Sequence, residues 1–264
     1  MKVIHLKETD STNLYMERHM KELPNICCVR TDIQTDGKGR LSRHWDSAKG
    51  GLWFSLLFKT PVHSPFQLQK ICSLATLKSL NKTLETTRKT IATIKTLPPS
   101  GGCSQLGRGG SIRFLLKWPN DIYYDSRKIS GCLQKNIFSA SGTSCIIGIG
   151  VNVNNPLPKE LFKKAINLKT ILSKEVDVES LYQDILENIE FRMCDFSNEK
   201  LENDYRKHLL IKNGTYIKVL DMVNNKYYTG RVKGYPSETL EIETEEGAQL
   251  SFSAADVTLK SWED

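Results

Sequence analysis

The sequence predicts an α+β fold, in which a β-sheet with flanking helices is followed by a small β-barrel. Segments 14–23 and 178–191 carry apolar residues at the three- and four-residue spacing of amphipathic helices. Apolar runs between residues 26 and 154 are typical of strands, and four short strands separated by turns follow Gly214. With 264 residues, the chain is long enough for one large domain and a small second one.

The composition is that of a soluble globular protein, with 39% hydrophobic and 25% charged residues. Residues 1–8 lack the apolar run of a signal peptide, and no stretch approaches the ~18 apolar residues of a membrane span. We therefore expect a cytoplasmic protein with no membrane partner. The seven cysteines form no C-x-x-C pair and have apolar neighbours, so we expect reduced core thiols, not a disulfide framework or a zinc site.

The net charge of +7 is unevenly distributed along the chain. Residues 1–60, 61–112 and 113–153 carry +3, +6 and +3, whereas residues 154–211 and 212–264 carry −2 and −3. Positive charge in the first 150 residues suits an anionic small molecule, an acidic partner protein or a nucleic acid. Charge alone leaves all three open.

A loop rich in glycine and cations is the first candidate for a ligand site. Its sequence is Gln34-Thr-Asp-Gly-Lys-Gly-Arg40-Leu-Ser-Arg43-His-Trp45. The two glycines let the backbone approach a ligand closely, the three cations suit an anionic group, and the tryptophan offers a flat face for stacking. A solvated hairpin loop would have a similar composition, so this stretch alone leaves both interpretations open.

Polar residues precede the first predicted helix, which Pro24 ends. The stretch Asp10-Ser-Thr-Asn13 suits a helix N-cap, and it would also place hydroxyl and N–H groups near a polar ligand. In the predicted strand 51–58, Trp53 and Ser55 share one face. A serine beside a tryptophan on an apolar strand indicates a pocket lined by both.

Residues 65–82 have the pattern of a helix, whereas residues 83–111 are rich in Thr, Gly, Pro and Lys. Because such a composition buries little apolar surface, we expect 83–111 to be a disordered basic insertion. Further strands follow over 112–134, around a Pro-Asn-Asp bend and an Asp-Ser-Arg turn, and over 144–154. Asn152 ends the last of these strands and points to a site there.

Taken in order, these segments resemble the biotin–protein ligases. Four motifs carry the resemblance, and Asp10-Ser-Thr-Asn13 is a fifth. They are Gln34-Thr-Asp-Gly-Lys-Gly-Arg40 with Arg43-His-Trp45, Lys117-Trp-Pro-Asn-Asp-Ile122, Arg127-Lys-Ile-Ser-Gly131 and Gly148-Ile-Gly-Val-Asn-Val-Asn154. All four occur in family order, and the resemblance extends from about residue 8 to the end of the chain.

The resemblance implies a fold and a reaction. A mixed β-sheet with flanking helices, of the kind shared with class II synthetases, would occupy residues 1–211, and an SH3-like barrel would occupy residues 212–264. Biotin and MgATP would give biotinoyl-5′-AMP, which a lysine of a biotin-carrier domain of a carboxylase would then attack. The substrates would be biotin and ATP, and magnesium would be the cofactor. Whether the chain is a monomer or a homodimer stays open.

The resemblance also assigns residues to each substrate. For biotin it implies Ser11, Thr12, Asn13, Gln34, Lys38, Gly39, Arg40, Trp53, Ser55, Lys128 and Gly131. For ATP and the adenylate it implies Lys38, Arg40, Arg43, Trp45, Asn120, Lys128 and Asn152. Arg40 would bridge the biotin carboxylate and the α-phosphate, Lys128 would lie where charge develops, and Asp121 would help to place magnesium or the incoming lysine.

Two other functions stay open. A lipoate–protein ligase-like acyltransferase or octanoyltransferase would share the catalytic fold, although the loop motif and Lys117-Trp-Pro-Asn-Asp121 favour biotin. A nucleic-acid-binding module would fit the basic charge but not the acidic barrel, which lacks clustered exposed aromatic residues. Some biotin–protein ligases carry a helix-turn-helix domain before the Ser-Thr motif, but only ten residues precede Ser11, so we expect no specific DNA binding.

Overall fold

A computed structural model of the chain describes residues 1–40, 43–59, 61, 63–95, 113–140, 142–236, 238–254 and 257–260. Within these ranges, seven strands form one sheet: β1 (Lys2–Thr9), β2 (Ile26–Gln34), β3 (Leu52–Lys59), β4 (Leu115–Lys117), β5 (Asp121–Tyr124), β6 (Arg127–Ser139) and β7 (Gly142–Val151). Their order is β1-β2-β3-β7-β6-β5-β4. The strands β1 and β2 are parallel and the other neighbours are antiparallel, so the predicted mixed sheet is confirmed.

The helices lie on both faces of this sheet. They are α1 (Thr12–His19), α2 (Pro65–Lys95), α3 (Leu168–Leu172), α4 (Val178–Cys194) and α5 (Asn198–Lys207). The strand β3 has buried residues on both faces, as a central strand between two layers requires. On one face Phe54 and Leu56 join a large core with α2 and α4, and on the other Leu57 packs in a smaller core with Met16 of α1.

A second, antiparallel sheet follows α5. Among the described residues it contains β8 (Tyr216–Asp221), β9 (Lys226–Gly234), β10 (Thr239–Glu243), β11 (Gln249–Ser253) and β12 (Val257–Lys260), in the order β11-β10-β9-β8-β12. The four strands predicted after Gly214 are confirmed, and β12 is additional. The predicted boundary at residues 211 and 212 falls between α5 and β8, and as a division into domains it stays a prediction.

The predicted insertion at 83–111 is wrong for its first part, because α2 continues without a break to Lys95. Leu80, Leu84 and Thr87 are buried and lie at the spacing of one helical face. Two of the threonines that weaken the helical pattern donate to the preceding turn of the helix. Thr83 Oγ1 donates to the carbonyl of Ser79 at 2.9 Å, and Thr90 Oγ1 donates to the carbonyl of Thr86 at 3.0 Å. Residues 96–111 lie outside the described residues.

Two smaller expectations also change. The strand β1 was not predicted, since most of its residues are exposed and polar, as suits the edge of a sheet. Five cysteines are buried as expected, but Cys194 at the end of α4 is exposed, and Cys103 lies outside the described residues. No described helix combines the length and apolarity that crossing a membrane requires.

Candidate active site

A cavity of about 390 Å³ opens where α1, the loop after β2, the β4–β5 turn and the ends of β6 and β7 meet. Fourteen of the sixteen residues predicted for the site lie in its wall: Ser11, Thr12, Asn13, Gln34, Lys38, Gly39, Arg40, Arg43, Trp45, Asn120, Asp121, Lys128, Gly131 and Asn152. The five sequence motifs, which are spread over residues 10–154 of the chain, are therefore brought to one place.

One end of the cavity is a preorganised set of neutral polar groups. The backbone N and Oγ1 of Thr12 both donate to Gln34 Oε1, at 2.9 and 3.1 Å. Ser55 Oγ lies 2.6 Å from Thr12 Oγ1 and 2.5 Å from Asn13 Oδ1. Because Thr12, Asn13 and Ser55 are buried and Gln34 is half-buried, and because they fix one another, these side chains can present donors and acceptors to a neutral polar ring at little cost in side-chain entropy.

Asp10 and Arg18 hold the first turn of α1 in place. Asp10 accepts the backbone N–H of Ser11 at 2.7 Å and pairs with Arg18 through both of its oxygens, at 2.6 and 2.8 Å. The hydrogen bond from Arg18 is the main reason that the pKa of Asp10 lies well below its usual range. The expected N-cap position is confirmed at Ser11, although the Ser11 side chain makes no capping bond and is left for the cavity.

Two glycines of β7 make room for the site. In the antiparallel pairing with β3, Gly148 lies opposite Ser55 and Gly150 lies opposite Trp53. A Cβ atom on Gly148 would come within 2.4 Å of Asn13 Oδ1, and one on Gly150 within 2.9 Å of Trp45 Nε1. The glycines therefore leave a floor without side chains, on which these polar groups can come close to the sheet.

The other end of the cavity is cationic. Lys128 Nζ lies 2.7 Å from Asp121 Oδ1 and 4.8 Å from the centre of the Trp45 ring. Arg40 Nη2 donates to the carbonyl of Ala254, just after β11 of the second sheet, at 2.6 Å, and Lys38 pairs with Asp36 at 2.6 Å. With Arg43, Lys117 and Lys164 also in the wall, cations outnumber carboxylates around this end, which suits an anionic ligand.

Hydrogen bonds within the protein set the positions of Lys128, Asn120 and Asn152. Lys128 donates its N–H to the carbonyl of Lys164 at 2.8 Å and accepts the N–H of Ile166 at 3.0 Å. The side chain of Asn120 donates to the carbonyl of Cys132. The amide oxygen of Asn152 accepts from Asn155 at 3.2 Å. The strand containing Lys128 is thus tied to segment 157–165, which forms one wall of the cavity.

The structure places Trp53 and Ser55 behind the wall, not in it. Trp53 is fully buried, donates from Nε1 to the carbonyl of Ala48 at 3.1 Å, and packs edge-on against Trp45, with 6.5 Å between ring centres. The expectation that Trp53 lines the pocket is therefore corrected, since Trp45 covers it. Ser55 acts on the cavity only through Thr12 and Asn13.

Sequence reasoning missed much of the wall. The missed residues are His44, Asp46, Phe54, Lys117, Trp118, Pro119, Tyr123, Cys132, Leu133, Gly148, Ile149, Gly150, Leu157, Leu161, Lys164 and Ala165. Seven of them could have been found, because they belong to motifs that had already been identified: His44, Lys117, Trp118, Pro119, Gly148, Ile149 and Gly150. Segment 157–165 carried no such signal, since it has no motif and forms only a short 3-10 turn at Lys159–Leu161.

Two buried donors in the wall have no partner in the described part of the chain. They are the indole nitrogens Nε1 of Trp45 and Trp118. A buried N–H that lacks a partner is costly, so each is suited to bond a ligand that enters the cavity. Within the described residues no group of three or more His, Cys, Asp and Glu could hold a metal ion.

Comparison with known proteins finds a matching family and several relatives. A model of the "Biotin/lipoate A/B protein ligase family" matches residues 5–152. The bifunctional ligase/repressor BirA of Bacillus subtilis (strain 168) is 30% identical over 248 residues, which are 88% of this chain and 66% of that protein. The biotin--[acetyl-CoA-carboxylase] ligase of Paracoccus denitrificans is 26% identical over 151 residues, covering 56% of this chain and 53% of that protein. This chain thus spans about half to two thirds of the length of these two curated relatives.

Solved structures extend the similarity over nearly the whole chain. The biotin protein ligase from Aquifex aeolicus, in complex with biotin and ATP, superposes with a TM-score of 0.75 and is 27% identical. The match covers 98% of both chains, including the second sheet. A protein that binds biotin and ATP therefore has the same arrangement of sheets and helices.

Proposed function

Because the chain belongs to the biotin/lipoate A/B protein ligase family, we propose that it is a biotin–protein ligase. It activates biotin with MgATP to biotinoyl-5′-AMP and then transfers biotin to a lysine of a carrier domain of a biotin-dependent carboxylase. One observation supports this most strongly: a single cavity joins a neutral, hydrogen-bonding end to a cationic end. Biotin has a neutral ureido ring at one end and a carboxylate at the other, and ATP adds phosphates beside that carboxylate.

The neutral end accounts for recognition of the ureido ring. Ser11, Thr12 and Asn13 present hydroxyl and amide groups from the start of α1. Hydrogen bonds with Gln34 and Ser55 fix Thr12, and a hydrogen bond with Ser55 fixes Asn13. A ligand without matching groups would leave buried polar atoms unpaired, at a cost of roughly 1–3 kcal/mol each. This favours biotin over lipoate, whose dithiolane ring has no comparable donors and acceptors.

The cationic end accounts for activation. A biotin carboxylate oxygen attacks the α-phosphorus of ATP, a new P–O bond forms, and the bond to the pyrophosphate oxygen breaks. Lys128, held by Asp121 and Trp45, lies where negative charge builds up on the phosphate and the carboxylate. Arg40, Arg43 and Lys38 neutralise the phosphates, and magnesium arrives bound to ATP.

The second step is acyl transfer. The amine of the carrier lysine attacks the carbonyl carbon of biotinoyl-AMP, the C–O bond to the phosphate breaks, and AMP leaves with the electron pair. The amine loses a proton to solvent, and Asp121 is the carboxylate of the wall beside Lys128 that can meet the incoming ammonium group. The buried, reduced cysteines suit a cytosolic enzyme, where ATP is available.

Labelled substrates test the proposal. Biotin-dependent exchange of labelled pyrophosphate into ATP measures the first step, and retention of labelled biotin on a carrier domain measures the second. Both should occur with biotin and neither with lipoate or octanoate. Exchange that depends on lipoate but not on biotin would assign the chain to the lipoate ligases, and no exchange with any of these acids would refute the proposal.

A further inference from the structure

A buried tyrosine on α5 supports the β4–β5 turn from outside the cavity. Tyr205 is 1% exposed and is not in the cavity wall. Its hydroxyl donates to the carbonyl of Pro119 at 2.5 Å. Pro119 lies in the wall, directly before Asn120 and Asp121.

A buried ammonium group holds the ring of Tyr205. Lys70 of α2 has a side chain that is 2% exposed, and its Nζ lies 5.2 Å from the centre of the Tyr205 ring. The same Nζ donates to Glu202 at 2.5 Å. Removing an ammonium group from water costs several kcal/mol, and burial lowers the pKa of Lys70. The ion pair with Glu202 and the rings of Phe66, 4.6 Å away, and Tyr205 offset that cost.

The turn needs this support because its peptide groups are buried. Pro119 is buried, so its carbonyl must be bonded within the protein, and the Tyr205 hydroxyl supplies that bond. The Pro119 carbonyl belongs to the same peptide plane as the nitrogen of Asn120. Fixing that plane fixes the direction in which the chain enters Asn120 and Asp121.

The rest of the turn is anchored on both sides. Before the turn, the N–H of Leu116 donates to the carbonyl of His208, just after α5, at 2.8 Å. The N–H of Leu210 donates to the carbonyl of Leu116 at 2.7 Å. After it, Asp121 pairs with Lys128. Asn120 is tied to β6, since its side chain donates to the carbonyl of Cys132 and its own carbonyl accepts the N–H of Cys132 at 2.9 Å. The bond from Tyr205 adds a contact to the Pro119 carbonyl itself.

From this geometry we infer that Tyr205 is a positioning residue for adenylation, which acts through the Pro119 carbonyl on Asn120 and on the Asp121–Lys128 pair. The inference rests on the proposed ligase function. Tyr205 touches no cavity surface, so it does not bind substrate. Its effect is to hold Lys128, through Asp121, where charge develops on the phosphate.

Tyr205→Phe tests this role, because it removes only the hydroxyl. Loss of one hydrogen bond that orients the turn should lower kcat for biotin-dependent pyrophosphate exchange roughly fivefold to tenfold. The KM for biotin should stay within about twofold, since the ureido ring binds at the other end of the cavity. Tyr182→Phe is the matched control: Tyr182 is 2% exposed, and its hydroxyl donates to Cys28 Sγ at 3.3 Å, away from the turn.

A double variant separates positioning from general destabilisation. If Tyr205 acts through Asp121, adding Tyr205→Phe to Asp121→Asn should lower kcat by less than about twofold more. The positioning role is refuted if Tyr205→Phe matches the parent, if Tyr182→Phe loses as much kcat, or if the losses from Tyr205→Phe and Asp121→Asn multiply fully. The parent is assayed first: absence of exchange there would overturn the proposed function and this role with it, whereas an active parent confines any failure to Tyr205.

Discussion

Two cations at the same end of the cavity have different surroundings, and this difference implies different roles. Lys128 is fixed between a carboxylate and an aromatic ring within the catalytic part of the chain. Arg40 comes from a loop and reaches the carbonyl of Ala254, just after β11 of the second sheet. We therefore expect Lys128 to act on the chemical step and Arg40 to hold its product.

Replacing Arg40 with glycine should uncouple the two half-reactions. Charge-assisted hydrogen bonds are worth about 1.5–3 kcal/mol each, so their loss should speed release of biotinoyl-AMP by roughly tenfold or more. The released adenylate acylates exposed lysines. Incubation of Arg40→Gly with biotin, MgATP and an unrelated lysine-rich protein should label that protein more than the parent does, while transfer to the carrier domain falls. Equal labelling by the parent would contradict this role.

Replacing Lys128 with alanine should instead stop the first step. Removal of the ammonium group leaves Asp121 unpaired and removes stabilisation of the developing charge, so pyrophosphate exchange should fall by a factor of roughly 100 or more. No stray labelling should appear, because no adenylate forms. Lys159→Ala is the control, since Lys159 is exposed and outside the wall. Adenylate formation by Lys128→Ala at the parent's rate would show that the assigned role is wrong.

At the scale of single elements, β7 leaves space for the neutral end of the cavity, because Gly148 has no side chain. Gly148→Ala would place a Cβ atom 2.4 Å from Asn13 Oδ1, which must then move away from Ser55. We expect the KM for biotin to rise roughly tenfold or more. Gly234→Ala is the matched control, because the nearest atom to a Cβ there is 3.9 Å away. Unchanged biotin binding by Gly148→Ala, measured by calorimetric titration, would contradict the assigned pocket.

The helix α5 carries a charge cluster that should make stability depend on pH. Hydrogen bonds from His208 and then Lys78, with the nearby charge of Arg192, hold the pKa of Asp204 below its ordinary value of 3.8. In the unfolded chain the pKa returns to about that value, so the stabilisation is present above pH 3.8 and is lost as the pH falls toward the folded pKa. Asp204→Asn should therefore lower the free energy of unfolding by roughly 1–2 kcal/mol at pH 7 and by less at pH 3.

Urea unfolding at the two pH values measures this difference. Asp195→Asn serves as the control, because the Asp195–Lys200 pair is exposed, at 3.4 Å, and should be worth less than about 1 kcal/mol. An equal effect of Asp204→Asn at pH 7 and pH 3 would mean that the cluster does not stabilise the ionised carboxylate.

Some elements could be predicted from the sequence and others could not. Strands such as β3 and β7 were predictable, because their apolar runs are bounded by glycines and polar turns. The extension of α2 was not, since threonines favour other structures until their hydroxyls bond the preceding turn. Motif residues reached the cavity as predicted, but Trp53 did not, because the loop that carries Trp45 covers it. Leu157 and Leu161 were missed, since their role depends on the contact of Lys164 with Lys128.

At the scale of the whole molecule, one core joins the two sheets. The large hydrophobic cluster contains Phe54 and Leu116 of the first sheet and also Val219 and Ile242 of the second. The ring of Trp118 in the cavity wall packs against Tyr235, just after β9 of the second sheet, with 5.9 Å between ring centres. Because the two parts share buried surface and a wall of the cavity, neither should unfold without destabilising the other.

The intact chain should therefore unfold in one cooperative transition that biotin shifts as a whole. Calorimetry with biotin and a non-hydrolysable ATP analogue, at about 100 times the dissociation constant, should stabilise the folded chain by about 2.7 kcal/mol and raise a single Tm by roughly 5–10 °C. Ile242→Ala, a truncation within the buried part of β10, should lower that same Tm at a cost of roughly 2–5 kcal/mol without splitting the peak. The neighbouring exposed Glu241→Ala should leave it unchanged. Two peaks, of which the ligands move only one, would show that the second sheet unfolds independently and that its contacts with Arg40 and Trp118 do not couple it to the cavity.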